Sequence, residues 1–104
     1  MPTAFQERVY AAVRQIPRGR VVTYKTVAAR IGCASSRAVG QALRRNPYAP
    51  ETPCHRVIAS DLTLGGFSGQ RKGPALAKKR RLLAKEGVAF RNGKLADPSR
   101  ALAS

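Results

Sequence analysis

Pro53, Cys54, His55, Arg56 and Val57 set a thiol, an imidazole and a guanidinium side by side behind a rigid residue. A thiol is a strong nucleophile only as thiolate, which calls for nearby positive charge, a helix N-terminus or a base. His55 and Arg56 are candidates for that environment. Thr52-Pro53 forces an extended or turn conformation just ahead of the thiol. Val57 and Ile58 follow as an apolar pair and read as the entry to a buried strand. Adjacent strand residues point to opposite faces, so His55 can serve Cys54 only if the backbone turns there.

Four helices are predicted around this stretch. Phe5, Val9, Ala12, Val13 and Ile16 recur at helical spacing over residues 4–16, and Pro17-Arg18-Gly19 closes that segment. Val21 and Val22 suit a short extended piece. Thr23 reads as the N-cap of a helix from Tyr24 to Ile31, ended by Gly32. Ser35 or Ser36 caps a second, over residues 37–45, with Val39 and Leu43 inward, helped by Ala42. Two short helices joined by a tight turn predict a helix-turn-helix. Arg37, Gln41, Arg44 and Arg45 fall on the outward face of its second helix, beside the small residues Ala38, Gly40 and Ala42. The competing reading is a solvated basic helix in an ordinary bundle.

Beyond the cysteine, the glycines from Gly65 to Gly69 predict a loop of special backbone angles or close approach to a ligand. Pro74 to Glu86 reads as a fourth helix with Leu76, Leu82 and Leu83 inward. Its Lys78, Lys79, Arg80, Arg81 and Lys85 are expected on a cationic surface. Asn92-Gly93 predicts a small hairpin within Val88 to Leu95. Residues 1–95 are expected to form a single domain and residues 96–104 a flexible, frayed tail.

The 104 residues carry 20 Lys and Arg against 5 Asp and Glu, a formal charge of +15. So strong a field predicts a polyanionic partner, above all nucleic acid. No apolar run can span a bilayer, and polar Gln6, Glu7 and Arg8 stand where a signal peptide needs apolar residues. An intracellular, cytoplasmic location is expected. Cys33, Cys54 and His55 make three metal ligands at most, without paired-cysteine spacing, so no metal is expected.

The pentapeptide from Pro53 to Val57 resembles the acceptor-cysteine motif of the O6-alkylguanine-DNA alkyltransferases, also called methylated-DNA–protein-cysteine methyltransferases. The surroundings agree in order. Gly19 to Tyr24 resembles the lead into the first DNA-binding helix, and Ser36-Arg37-Ala38-Val39-Gly40 the recognition helix. Asn46-Pro47 precedes the cysteine loop. Gly65-Gly66-Phe67-Ser68-Gly69 resembles the substrate loop, and Leu82 to Gly87 the last helix. The match runs from about residue 4 to 88.

The resemblance implies a mainly α fold with a small β component, winged-helix-like, without the N-terminal domain that family proteins often carry. It implies stoichiometric transfer of an alkyl group from O6 of a flipped guanine to Cys54. His55 would be the base, acting through a water and oriented by Glu86. Asn46 would hold the cysteine loop, and Tyr24 would donate to the departing guanine. Arg37 would fill the gap in the base stack. Thr23, Tyr24, Ser36, Ala38, Gln41, Ala42, Arg44 and Arg45 would contact DNA in the minor groove. Val57, Ser68, Phe67, Gly65 and Arg56 would line the substrate site. No cofactor is implied, and a monomer on double-stranded DNA is expected. The alternative from another class is a non-catalytic alkyltransferase-like protein that binds the lesion and recruits other repair factors; Cys54, Asn46 and Glu86 together favour chemistry. The turn at Cys33-Ala34 is shorter than usual, the stretch from Gln70 to Ala77 longer, Phe67 replaces a commoner Tyr, and Thr52 stands where an apolar residue is typical.

Overall fold

A reciprocal cap starts the chain's first helix. The Thr3 side chain accepts from the Gln6 N–H at 3.1 Å, and the Gln6 side chain accepts from the Thr3 N–H at 2.9 Å. The computed structural model describes residues 2–48, 51–65 and 73–102. In order it holds α1 (Ala4–Arg14), β1 (Val22–Thr23), α2 (Tyr24–Arg30), α3 (Ser36–Arg44), a 3-10 turn (Cys54–Arg56), β2 (Val57–Ile58) and α4 (Pro74–Lys85). The hairpin β3 (Phe90–Arg91) and β4 (Lys94–Leu95) and a second 3-10 turn (Pro98–Arg100) follow. The chain is thus helical with two small sheets. All four helices lie where periodicity puts them, with ends displaced by the residue or two over which helices fray. Thr23 and Ser35 cap α2 and α3 by accepting the N–H groups of Thr26 and Ala38. Asn92 and Gly93 take φ of +53° and +81°, the left-handed pair that a two-residue hairpin turn requires.

The centre is a short parallel pairing, Val22 with Val57 and Thr23 with Ile58. Alternation of side chains along these strands divides the core. Val22 and Val57 join Val9, Val13, Val27, Val39 and Leu43 on the α1–α2–α3 side. Val21 and Ile58 join Leu83, Val88 and Leu95 on the α4 side. The cysteine turn therefore leads directly into the strand that partitions the molecule.

Three expectations are corrected here. Ala42, expected both to help the inward stripe of α3 and to contact DNA, takes the inward place alone: it is 2% exposed and packed in the core, and its carbonyl accepts from the Tyr10 hydroxyl at 2.7 Å. At helical spacing it falls beside Val39 and Leu43, which pull its side inward. Lys79, assigned to a cationic surface, is fully buried. Leu76 and Leu83, three before and four after it, share its face and carry it inside. The stretch after residue 95 does not fray through Leu102. The Val21 N–H donates to the Arg100 carbonyl and the Leu102 N–H to the Val21 carbonyl, which adds a parallel bridge to the β1 edge. Guanidinium bonds from Arg20 to the Ser99 carbonyl and from Arg100 to the Gly19 carbonyl reinforce it.

Candidate active site

Cys54 opens a 3-10 turn rather than a strand. That supplies the change of direction on which its cooperation with His55 depends. Pro53 cannot donate a backbone hydrogen bond, and the turn closes with the Arg56 N–H on the Pro53 carbonyl at 2.9 Å. The thiol is half-buried beside the α1–α2–α3 core, while His55 is 5% exposed.

The imidazole points at the end of α4. His55 Nε2 lies 2.9 Å from Glu86 Oε2. Arg56 grips the same carboxylate: its Nε donates to Oε1 and its Nη2 to Oε2, both at 2.9 Å. Its remaining Nη1 donates to the Ile16 carbonyl at 2.8 Å. Arg56, expected at the substrate, is thus committed to Glu86 and to the end of α1, because a planar guanidinium matches a carboxylate in a two-point fork. Burial pushes the Glu86 carboxyl upward, but the hydrogen bonds from Arg56 and His55 outweigh it and hold the group at about 2. An ionised carboxylate only accepts. His55 Nε2 therefore carries the hydrogen in this contact, which makes Nδ1 the ring nitrogen on the other side.

Asn46 ties the cysteine loop to the end of α3. Its Nδ2 donates to the Thr52 carbonyl at 3.0 Å, and its Oδ1 accepts the Tyr48 N–H at 2.9 Å. The Thr52 carbonyl also takes the Cys54 N–H at 2.8 Å. Tyr48 is itself held by an edge-to-face contact with Tyr10, centroids 5.7 Å apart, and by the Arg14 guanidinium over its ring at 5.1 Å.

Tyr24, at the first turn of α2, faces Gly65. A Cβ on Gly65 would sit 3.1 Å from Tyr24 Cε2 and 3.3 Å from the Ala59 nitrogen, and the residue's φ is +71°, so glycine is required. The Lys79 ammonium lies 5.8 Å from the Tyr24 ring centroid. It donates to the Val57 carbonyl at 2.8 Å and to the Leu64 carbonyl at 2.5 Å. Burial pulls the Lys79 amine down to about 7, and the neighbouring Cys54 opposes that fall. The periodicity that places Lys79 on the Leu76–Leu83 stripe was the available signal for its role. Val57 is buried; its N–H donates to the Cys54 carbonyl and its carbonyl accepts from Lys79.

Of the residues expected at DNA, Arg37, Gln41, Arg44 and Arg45 are exposed on α3, Ser36 and Ala38 are half-buried, and Ala42 is inside. Thr23 is half-buried and spent on its cap. Phe67 and Ser68 lie outside the described residues. Among the described residues no group of three or more His, Cys, Asp and Glu is placed to hold a metal, and no helix is long and apolar enough to cross a membrane.

Residues 4–88 match the family model of the 6-O-methylguanine DNA methyltransferase DNA-binding domain. A methylated-DNA–protein-cysteine methyltransferase of Methanothermobacter thermautotrophicus is 48% identical over 88 residues, 85% of this chain and 47% of that protein. The protein of the same name from Metallosphaera sedula is 49% identical over 84 residues, 81% of this chain and 49% of that one. The chain thus spans about half the length of these curated relatives. Among solved structures, Mycobacterium tuberculosis OGT in complex with DNA superposes with a TM-score of 0.73 at 40% identity, over 83% of this chain and 51% of that one. Atl1 of S. pombe, bound to damaged DNA containing O6-carboxymethylguanine, gives a TM-score of 0.82 at 31% identity and covers 100% of both chains.

Proposed function

Because this chain belongs to the family of the 6-O-methylguanine DNA methyltransferase DNA-binding domain, we propose that it reverses alkylation of guanine in DNA by taking the alkyl group onto Cys54. The observation that carries this reading is the Glu86–His55 pair at 2.9 Å, set next to a half-buried thiol by a 3-10 turn. His55, with its hydrogen held on Nε2 by Glu86, takes the thiol proton at Nδ1 through a water. The sulfur attacks the alkyl carbon on O6. The S–C bond forms, the C–O6 bond breaks with its electron pair going to the oxygen, and the Tyr24 hydroxyl supports the departing guanine. Nothing in the sequence suggests a group able to cleave the thioether, so the chain works once.

The α2–α3 pair acts as a helix-turn-helix of winged-helix type, with α3 in the minor groove and Arg37, Gln41, Arg44 and Arg45 toward DNA. Ser36, Ala38, Thr23 and Tyr24 flank that surface, and Arg37 fills the space vacated by the extruded nucleotide. Extrusion is required because a thiol this deep cannot reach O6 inside a stacked duplex. Gly65 borders the guanine, and the Val57 carbonyl accepts from its edge. The working unit is a monomer, and it extends past residue 95 to include the docked segment through Leu102.

The likeness to Atl1, with a TM-score of 0.82, favours a second reading, a binder of alkylated guanine without transfer. Intact-mass spectrometry decides between them. After incubation with an oligonucleotide carrying O6-methylguanine, the wild type gains one CH2 and Cys54→Ser gains nothing. A wild type that binds the lesion without changing mass rejects transfer. Labelling of Cys54→Ser rejects the choice of nucleophile.

A further inference from the structure

We propose that the outer face of α4, carried by Lys78, Arg81 and Lys85, binds the phosphate backbone of a second DNA duplex while α3 holds the first. The inference rests on the reading of α3 as the DNA-binding helix.

Lys78, Arg81 and Lys85 stand at three- and four-residue spacing, one exposed stripe opposite the buried Lys79 and Leu83. Among the described residues none of the three meets a carboxylate; Glu86 is taken by His55 and Arg56, and Asp97 pairs with Arg100. Like charges at this spacing repel along a helix. The helix dipole favours cations only in the last turn, where Lys85 sits, so Lys78 and Arg81 gain nothing from it. The stripe is held against its own repulsion without an internal anion.

The stripe does not belong to the α3 surface. Val39 and Leu43 of α3 pack with Val22 and Val57, whereas Leu83 of α4 packs with Val21 and Ile58. The β1–β2 pair separates these clusters, so the outward sides of α3 and α4 face away from one another. Exposed charges farther apart than about 10 Å are largely screened from one another at moderate salt, and the strand pair with both core clusters lies between the two stripes. Phosphates docked on α3 therefore leave the α4 cations unneutralised. A partner fitting a straight row of alternating Lys and Arg on one helix face is a line of phosphates, and the partner already at α3 has that chemistry. With both faces occupied, one chain bridges two duplex segments.

The test uses the full chain. A lesion-free duplex is fixed to beads, the protein is bound, and capture of a fluorescent second duplex is measured across a salt series. The wild type is expected to retain the second duplex. The triple variant Lys78→Gln, Arg81→Gln, Lys85→Gln is expected to bind the fixed duplex but lose the second by roughly tenfold or more, since three phosphate contacts vanish. A charge-matched variant, Lys25→Gln, Arg91→Gln, Lys94→Gln, is expected to keep it. Equal capture by the α4 variant and the wild type overturns the inference, because bridging would then come from self-association. Equal loss in the charge-matched variant overturns it as bulk charge. A wild type that holds the first duplex but never a second overturns this inference alone; one that holds neither removes the α3 reading as well.

Discussion

Glu86 joins three parts of the molecule: the imidazole of His55, the guanidinium of Arg56 and, through Arg56, the end of α1. Its folded carboxyl sits at about 2 against an ordinary 4.5. A group depressed in this way keeps its stabilising effect above the unfolded value and loses it as acid protonates the folded state. Wild-type stability is therefore expected to fall between pH 4.5 and about 2, on the order of 3 kcal/mol from this residue. Glu86→Gln is expected to be less stable at neutral pH, to transfer alkyl groups far more slowly, and to lack this acid limb; denaturant titrations at several pH values measure it. An identical acid limb in the variant would move the effect to another carboxyl. Lys79 runs the other way. Its amine is at about 7 in the fold against 10.5 free, so the cost of burying the charge is present at low pH and is relieved as pH rises from 7 to 10.5. Lys79→Met is expected to lose that alkaline rise while leaving the Val57 and Leu64 carbonyls short of a donor. Thr52 poses a simpler case: it is fully buried and its hydroxyl has no partner among the described residues. Thr52→Val keeps the shape and removes the stranded group, so a gain of about 1 kcal/mol is expected, read as a higher Tm. The Pro53–Val57 motif and its neighbours Asn46 and Glu86 are legible in the sequence because their types and order are distinctive. The opposite fates of Arg56 and Lys79 are not. A cation's type does not say whether it meets solvent, a carboxylate or a buried carbonyl; only Lys79's place on the Leu76–Leu83 face hints at the answer.

The elements repeat this contrast. Helices α1 to α4 announce themselves through apolar spacing and through Thr23, Ser35, Pro74 and Gly87 at their ends. β1 and β2 do not. Two-residue strands show no periodicity, and the parallel register of Val22 with Val57 links segments far apart in sequence. The 3-10 turn at Cys54 was legible only as a requirement that the backbone change direction there. The segment after Leu95 reads as frayed in the sequence because chain ends are ordered only where something ties them down. Its order comes from Val21, just ahead of β1, which accepts and donates one backbone bond each to the segment, at 2.8 and 3.0 Å. With the Arg20 and Arg100 side-chain bonds, four hydrogen bonds among the described residues tie residues 99–102 to the segment 19–21. Deletion of residues 97–104 is therefore expected to destabilise the domain by about 2–4 kcal/mol, measured by denaturant unfolding. An unchanged midpoint would show that the edge needs no cover. The same deletion frees the segment from Pro17 to Val21, which leads into Tyr24, so the transfer rate is expected to fall further than global unfolding explains at temperatures well below Tm.

At the scale of the whole molecule, composition predicts the kind of partner and the fold decides where it can dock. A charge of +15 spread over 104 residues says polyanion without naming a face. The division of the core by β1–β2 supplies the faces. One carries α3 with Arg37, Gln41, Arg44 and Arg45 outward; the other carries the row on α4. Affinity for a short duplex that fills only the first face should then depend on the cations of α3 alone. Its logarithm is expected to fall linearly with the logarithm of salt concentration, with a slope of roughly −0.9 for each phosphate neutralised. Arg44→Gln should reduce that slope by about one contact and weaken binding alike on every sequence, as loss of a phosphate contact does. Lys78→Gln should leave the slope on the short duplex unchanged, since that side chain points to the opposite side. Fluorescence anisotropy at several salt concentrations measures both. If Lys78→Gln flattens the slope as much as Arg44→Gln, the two basic surfaces act as one field, and the separation of faces by the strand pair has no consequence for how this molecule holds DNA.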